Sequence, residues 1–310
     1  CKTPVPKGFP QCASALDEPA KRAISIKRTL DTVNEVSHAF LLPALLREQL
    51  GDFSTTKLTG ELDELQEKID AIAFELYGIG KDDQVAINLG NKEESSLDSS
   101  ADIDEETDAD DIEEELVGGS SDQGNLLSWC IGVGFGRFDL RLATGERCAS
   151  PEPDPFDPLP AKSPGMLPEG AEPFYEHSGI LVDDQGHPHD LARLVEEVLN
   201  RVDVSVPDDV RRWLRKDFFA FHLQRYSKSR RKAPIYWPLA TASGGYTLWV
   251  YYPSLNNQTL FTAVNDFLDG PNGKLTQVSR ECAELRMKGS SRSRDEEKQY
   301  ETLQTLEQEL

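Results

Sequence analysis

The chain has 310 residues, a net charge of −22, a hydrophobic fraction of 38% and a charged fraction of 28%. This length allows about two domains, and the modest hydrophobic fraction predicts that part of the chain stays solvated. No apolar run long enough for a membrane span and no signal peptide occurs, and the five scattered cysteines form no CxxC pair. A membrane span, a zinc ribbon and a disulfide scaffold are therefore excluded, and the reducing cytoplasm is the expected compartment, with no membrane partner.

Two helices are predicted in residues 14–90. Apolar residues recur at helical spacing between Asp17 and Leu50, and Pro43 should end or kink that helix. A second helix over Leu62–Tyr77 carries an apolar stripe with alternating spacings of three and four, and Gly78 should end it. The pair predicts a helical hairpin that acts as a spacer.

An acidic insert follows the two helices. Glu93–Glu115 contains 13 acidic residues and no Lys or Arg. Residues 91–124 cannot bury enough apolar surface to offset the entropy of ordering, so they are predicted to be disordered. A DNA-mimicking or Ca²⁺-binding tract is the functional alternative, but the EF-hand spacing is absent.

Three glycines lie in the apolar segment 125–149. One possible interpretation is a nucleotide-binding loop formed by Gly132, Gly134 and Gly136. They interrupt an apolar run instead of opening a helix after a strand, and GxGxG alone is a weak signal. A structural role is therefore favoured over a cofactor loop.

Prolines and then polar residues dominate the sequence from 150 to 190. Eight prolines between Pro151 and Pro173 predict an extended linker over residues 150–178. The run that follows could supply metal ligands or caps for a helix over Leu191–Leu199. No further ligand set has the spacing of a metal site, which favours caps. The polar residues are Asp183, Asp184, His187, His189 and Asp190.

Positive charge concentrates beside a predicted aromatic hairpin. Val210–Lys232 holds nine Lys or Arg against one acid, and Val210–Gln224 has helical spacing. Two β-prone runs follow, Ala233–Leu239 and Tyr246–Tyr252, joined by the small residues of Ala240–Gly245.

Cationic side chains beside a Tyr- and Trp-rich hairpin can hold a phosphate backbone. The same pattern also fits a solvated surface whose charges are structural. Lone His38, His177 and His222 have no identifiable catalytic partner and are expected to serve packing or surface contacts. The candidate phosphate contacts are Arg225, Lys228, Arg230, Arg231 and Lys232, with Tyr236 and Trp237 packing nearby.

The C-terminal part is predicted to be helical. A helix around Asn257–Leu268 should break at Gly270 and Gly273. From Lys274 onward the pattern is charged and helical, with Leu303, Leu306 and Leu310 at heptad-like spacing. The chain begins without Met and ends while this pattern continues, so we expect a piece of a longer protein.

These elements predict an α+β fold that is predominantly helical. An aromatic β-hairpin supplies the strands, and helices flank it on both sides along the chain. The expected segments are a helical spacer (14–90), a disordered acidic insert (91–124), an apolar glycine-containing segment (125–149), a proline-rich linker (150–178), an α+β segment with the basic helix and hairpin (179–288) and a truncated C-terminal helix (289–310).

Several stretches together resemble one protein family. YSKSRRKAPIYWPLATASGGYTLWVYYPSL, QTLFTAVNDFL, IDAIAFELYGIG, CIGVGFGRFDLRLATGER, PDPFDPLPAKSPGML and GILVDDQGHPHD occur in this chain. They resemble, in the family's order, the C-terminal half of PglX-type adenine-specific DNA methyltransferases of BREX phage-defence systems. These enzymes are related to fused restriction–modification methylases. The resemblance runs from about Arg22 to Leu310, and the acidic insert is its least family-like part.

The resemblance implies methyl transfer from S-adenosylmethionine to adenine N6 in the parent enzyme. That chemistry needs an (N/D)PP(Y/F) loop to hold the flipped adenine. Asp154-Pro155-Phe156 and Asp157-Pro158-Leu159 lack the second proline, and the tetrapeptide is absent from the chain. No catalytic or metal-binding residue is therefore assigned, and S-adenosylmethionine is expected to bind an upstream domain outside this chain.

Two functional hypotheses follow. In the first, the chain is a non-catalytic, C-terminal fragment of a site-specific DNA (adenine-N6) methyltransferase, inactive alone, which contributes a spacer and a surface that contacts double-stranded DNA. In the alternative, it is a protein-interaction scaffold of the same defence complex. The seam Leu62–Leu76 and the terminal heptads would then contact other subunits, and the basic cluster would be structural.

Overall fold

A computed structural model of the protein describes residues 9–51, 53–94, 120–150, 158, 160–207, 209–228, 231–271 and 273–310. In these ranges the chain is mainly helical and carries a small three-stranded antiparallel sheet. The predicted helical α+β class is confirmed. No helix in the described ranges has the length and apolar content needed to cross a bilayer.

Four helices form the N-terminal part: α1 (Phe9–Asp31), α2 (Ala44–Leu50), α3 (Thr55–Tyr77) and α4 (Lys81–Glu94). The helix predicted over Asp17–Leu50 instead ends at Asp31, and turns connect it to α2. The turns let Phe40 and Leu42 enter the main core, where both are buried. Helix α1 packs against α3 as the predicted hairpin requires. Gly78 ends α3 in the left-handed conformation.

The centre of the core is a helix that was predicted only as an apolar segment. Helix α5 (Ser120–Gly134) contains Trp129 and Ile131, which are fully buried. It packs against α6 (Leu191–Arg201). The buried face of α6 repeats every three or four residues, which produces its strong amphipathic character.

The three glycines allow close packing at the end of α5. A Cβ on Gly132 would lie 2.3 Å from the Phe138 ring, and one on Gly134 would touch Leu194 at 3.8 Å. Gly136 has a φ of +66°, which favours glycine in the turn after the helix. A phosphate-binding glycine loop precedes a helix, whereas these glycines end one. Their position supports the structural interpretation.

The structure shifts two predicted segment boundaries. Helix α4 extends to Glu94 and α5 begins at Ser120, so both ends of the predicted disordered insert are helical. Residues 95–119 lie outside the described part. The predicted linker 150–178 is not an extended spacer in its second half. Gly165 N–H donates to the Phe40 carbonyl at 2.8 Å, and Leu167 N–H donates to the Arg137 carbonyl at 2.9 Å.

The described part of the chain contains five short strands: β1 (Ile180–Val182), β2 (Ser227–Lys228), β3 (Arg231–Lys232), β4 (Tyr236–Ala240) and β5 (Thr247–Tyr251). Strands β4 and β5 form the predicted aromatic hairpin, and Tyr236 lies opposite Tyr251. Strand β1 pairs with the other edge of β5 in antiparallel orientation, with Leu181 opposite Trp249. A separate two-stranded ribbon joins β2 and β3.

The three-stranded sheet separates two apolar cores, because side chains alternate between its faces. Leu181, Tyr236 and Trp249 belong to the main core with α5 and α6. Ile180 and Leu248 belong to a second core. The second core also contains side chains from the C-terminal helices α10 (Lys274–Lys288) and α11 (Arg294–Glu309) and from the π-helical turn Ala263–Leu268. The short helix α9 (Thr259–Thr262) directly precedes this turn.

Two further predictions concern the helices that flank the hairpin. The helix predicted over Val210–Gln224 is divided at Asp217 into α7 (Val210–Lys216) and α8 (Phe218–Arg225). Leu306 is buried in the second core and Leu303 and Leu310 pack against it, so these three leucines contact the chain's own core, whereas the scaffold hypothesis assigned the terminal heptads to other subunits. A capping box between Ser293 and Glu296 begins α11.

Gly132→Ala should destabilise the fold, because the added methyl would overlap the Phe138 ring inside a packed core. We expect a loss of about 1–3 kcal/mol in the free energy of unfolding, measured by urea titration. Gly60→Ala is the matched control, since nothing lies within 4 Å of its Cβ position on exposed helix α3. It should gain about 0.5–1 kcal/mol. Equal effects at the two positions would contradict the packing account.

Candidate functional site

A groove of about 880 Å³ opens where three distant parts of the chain meet. The first part is the end of α1 with the turns that follow it. The second is the described part of residues 149–164, and the third is the end of α8 with the described part of the β2–β3 ribbon. Its described lining residues are Arg28, Asp31, Thr32, Asn34, Val36, Ser37, His38, Ala39, Leu41, Ala149, Ser150, Pro160, Pro164, Arg225, Tyr226, Ser227, Arg231 and Ala233.

The groove is cationic although the chain carries a net charge of −22. Among its described lining residues, Arg28, Arg225 and Arg231 are opposed by Asp31 alone. The Asp31 carboxylate accepts a hydrogen bond from the Ser37 hydroxyl at 2.9 Å. The arginines come from two stretches nearly 200 residues apart in the sequence. Folding therefore concentrates positive charge that neither stretch provides alone.

The predicted basic cluster is divided by the fold. Arg225 is half-buried, donates to the Asn125 side-chain oxygen and lies over the Phe221 ring at 5.4 Å. Arg231 and Lys232 are exposed in β3, and no described residue forms an ion pair or hydrogen bond with either side chain.

Only part of this cluster faces the groove. Arg225 and Arg231 line it, whereas Lys232 does not belong to its described lining. The backbone of Lys228 pairs with Arg231 across the ribbon. The Lys228 side chain and all of Arg230 lie outside the described part.

The two predicted aromatic contacts are not at the groove. Tyr236 is fully buried between Phe135 and Phe218, so its predicted role beside DNA is wrong: the ring belongs to the core. Trp237 is 45% exposed on the edge strand, and its indole N–H donates to the Pro234 carbonyl at 3.0 Å. Successive side chains of a β-strand point to opposite faces of the sheet, so the Tyr236 ring points into the core and the Trp237 ring points outward.

Beneath the groove lies a buried polar network centred on Glu35. The Glu35 carboxylate accepts hydrogen bonds from the Ser128 hydroxyl at 2.7 Å and the Tyr226 hydroxyl at 2.7 Å. It also forms an ion pair with the Arg137 guanidinium at 3.2 Å. Arg137 donates to the Tyr226 hydroxyl and lies over the Phe138 ring at 4.6 Å.

The network keeps its charges in the folded state. Burial raises the pKa of Glu35, but the charges of Arg137 and Arg225 and the hydrogen bonds from Tyr226 and Ser128 outweigh burial, and the pKa is lowered overall. Burial raises the pKa of the Tyr226 phenol, which therefore stays protonated and donates. These groups form a satisfied, structural ion pair under the groove.

His222 occupies the same buried region without a charged role. Its Nε2 accepts the Ile235 N–H at 2.9 Å, and its ring lies 4.5 Å from the Tyr226 ring. Burial lowers the pKa of His222 to about 4, so the ring is neutral at pH 7. The predicted packing role is consistent with this position at the start of the hairpin.

The polar run before α6 also forms ion pairs. Arg211 bridges Asp183 and Asp190, the latter at 2.6 Å, and Arg215 contacts Asp183 as well. Asp190 stands at the N-cap position of α6, but its side chain makes no cap hydrogen bond and binds Arg211 instead. Asp190 thus occupies the predicted cap position, but the prediction that its side chain caps the helix is wrong, because that side chain pairs with Arg211. No group of three possible metal ligands occurs in the described ranges.

Sequence reasoning missed Glu35, Arg137 and the turns that form one wall of the groove. Two signals were present. Arg137 is a charged residue at the end of an apolar run, and the stripe assigned to a single helix contains Asn34 and Ser37, which favour turns. The partnership of Glu35 with Arg137 spans 102 residues and requires the tertiary fold.

The fold and site define a mainly helical α+β chain with a cationic groove above a buried ion pair. No protein-family model matches the chain, and no curated protein matches it significantly. The groove and the residues that line it are therefore the features of the chain that point to a function.

Glu35→Gln should destabilise the protein by about 3–5 kcal/mol at pH 7, because it leaves the Arg137 charge buried without its carboxylate. The free energy of unfolding from urea titration would measure this. Glu64→Gln, on the exposed face of α3, removes the same charge and should change stability by less than about 0.5 kcal/mol. Similar losses in the two variants would contradict a specific role for the buried pair.

His222 should make stability depend on pH. An unfolded histidine titrates near 6.5, whereas folded His222 has a pKa of about 4. As pH falls from about 6.5 to about 4, only the unfolded chain gains this proton, so the free energy of unfolding falls. His222→Gln can still accept the Ile235 N–H and should show a shallower fall between pH 7 and pH 4.5. The same slope in both proteins would contradict the assignment.

Proposed function

We propose that this chain is a non-catalytic segment of a PglX-like adenine-specific DNA methyltransferase and that its cationic groove contacts DNA phosphates. The observation that carries the proposal is the convergence of Arg28, Arg225 and Arg231 on one groove of a strongly acidic chain. Such a local field attracts a polyanion while the remaining surface repels it.

Arginine side chains suit this task. A guanidinium donates several hydrogen bonds in a fixed plane and matches the geometry of phosphate oxygens. Arg231 is exposed and makes no ion pair with a described residue, so binding a phosphate would not require breaking an internal bond. Asn125 and the Phe221 ring hold the side chain of Arg225 in place.

The parent activity is proposed from the family resemblance. S-adenosylmethionine would bind, and the methyl group would reach adenine N6, in a domain that this chain does not contain. The chain has no (N/D)PP(Y/F) tetrapeptide, and the glycines at 132–136 pack a helix end. Its own contribution is a folded platform that presents the groove.

A second candidate function is a protein-interaction scaffold within the same defence complex. The observation in its favour is the apolar surface of α9, where Leu260 is 70% exposed and Phe261 is 66% exposed. Exposed apolar groups of this size are typical of protein contacts when they form a patch. Failure of the chain to bind DNA would favour this alternative.

The groove proposal is tested by the salt dependence of DNA binding. Arg231→Ala should weaken the binding of a fluorescent duplex and reduce the slope of log K against log salt by about 0.9, the value for one lost phosphate contact. Fluorescence anisotropy at several salt concentrations would give the slope. Lys232→Ala removes an equally exposed charge beside the groove and should change the slope less. Equal slopes for Arg231→Ala and the unaltered chain would contradict a groove contact.

The absence of catalysis is tested directly. The purified 310-residue chain should transfer no methyl group from labelled S-adenosylmethionine to DNA, because it lacks the loop that holds the flipped adenine. A scintillation assay on DNA with adenine in many sequence contexts would detect any transfer. Transfer above the level of heat-denatured protein would overturn the non-catalytic assignment.

A further inference from the structure

We infer that the groove binds unpaired nucleotides, so its preferred ligand is single-stranded DNA and not the fully paired duplex. This inference rests on the proposed function, since it specifies which form of DNA the groove arginines hold. It comes from the uncharged part of the groove lining, which the phosphate contacts leave unexplained.

Between the arginines the groove walls are largely apolar. Val36 is 42% exposed, and Pro160 and Pro164 also line the groove. The remaining apolar lining residues are Ala39, Leu41, Ala149 and Ala233. A duplex presents its phosphates outward and keeps its bases stacked inside, so it would leave these walls uncovered. Unpaired bases would cover them while their phosphates reach the arginines.

The groove is also large enough to hold nucleotides. Its volume of about 880 Å³ is within the range of concave pockets that enclose small organic ligands. The bases of a splayed single strand can enter such a concavity, whereas a rod of stacked base pairs contacts a protein over a broader surface.

One exposed ring and one exposed guanidinium can stack with bases. The His38 ring lines the groove and is exposed, and the Arg231 guanidinium is exposed on the facing ribbon. Histidine rings and arginine planes both stack on unpaired bases. Tyr226 does not serve this purpose, because the His222 ring lies 4.5 Å from its ring and the Arg137 guanidinium lies over it at 5.3 Å.

Several polar side chains of the groove are already engaged within the protein. The Ser37 hydroxyl donates to Asp31 at 2.9 Å, the Asn34 side-chain oxygen accepts the Val36 N–H at 3.2 Å, and the Ser227 hydroxyl donates to the Leu223 carbonyl. They offer few groups for reading base edges. Binding through stacking and phosphate contacts should therefore depend little on base sequence.

The experiment compares probes on the unaltered, full 310-residue chain. Fluorescence anisotropy at one fixed salt concentration would measure binding of a labelled oligothymidylate and of a labelled duplex of equal length. The inference predicts that the oligothymidylate binds at least about tenfold more tightly. This difference is comparable to the contribution of one stacked base.

Substitutions of two groove side chains and of one control side chain locate the effect. His38→Ala, which removes a stacking ring, should lower oligothymidylate affinity about tenfold and change duplex affinity much less. Tyr252→Ala removes a ring that is 60% exposed outside the groove lining, so oligothymidylate affinity should stay unchanged. Arg231→Ala should weaken both probes, since both would use its charge. Circular dichroism of each variant would verify folding.

The outcomes separate the inference from the proposed function. Equal or tighter binding of the duplex, or a single-strand preference that survives His38→Ala, would overturn the inference and leave phosphate binding in place. Failure of the chain to bind either probe would overturn the proposed function and the inference together. A preference that is lost with His38→Ala and kept with Tyr252→Ala would support the inference.

Discussion

The buried carboxylate of Glu35 holds together three segments that are far apart in the sequence. It binds Arg137 in the turn after α5, Ser128 within α5 and Tyr226 at the end of α8. A charge in a low-dielectric interior is strongly destabilising unless it is paired and hydrogen-bonded, and this network meets both conditions. Because Tyr226 and the turns beside Glu35 also line the groove, the ion pair fixes the relative positions of two groove walls.

The three-stranded sheet gives the aromatic hairpin a different role from the one its sequence suggests. Its rings fill two cores on opposite faces of the sheet, and Tyr236, Tyr251 and Phe135 stack within about 5–6 Å of one another. The hairpin therefore anchors the ribbon that precedes it in the chain. The ribbon, in turn, presents Arg231 to the groove. The aromatic residues act through packing, and the basic residues provide the charged surface.

Local patterns predicted most of the elements, because helix periodicity, glycine caps and β-prone runs depend on neighbouring residues. They predicted α3 and its end at Gly78, and the hairpin pairing of β4 with β5. The predictions from local patterns were wrong where contacts between distant parts of the chain determine the local structure. The helix through Phe40 became turns because Phe40 packs on Phe138, with ring centroids 5.0 Å apart. Asp190 makes no cap hydrogen bond because its carboxylate forms an ion pair with Arg211.

The sequence identified only part of the candidate site, because the rest of the site depends on tertiary contacts. Charge density identified Arg225 and Arg231, which lie close together in the chain. Arg28 and His38 belong to a stretch that showed no functional pattern, and only the fold brings them to the same groove. Which cations face the groove depends on the alternation of side chains in β3, where Arg231 lines it and Lys232 does not.

The central claim is that this groove is the surface at which the chain contacts nucleic acid. Hydrogen–deuterium exchange of the full chain, with and without saturating oligothymidylate, tests it most directly because every amide reports independently. The account predicts slower exchange in residues 32–41 and 225–233 when the oligonucleotide is bound. Protection confined to α9 and its exposed Leu260 and Phe261, with none at the groove, would contradict it.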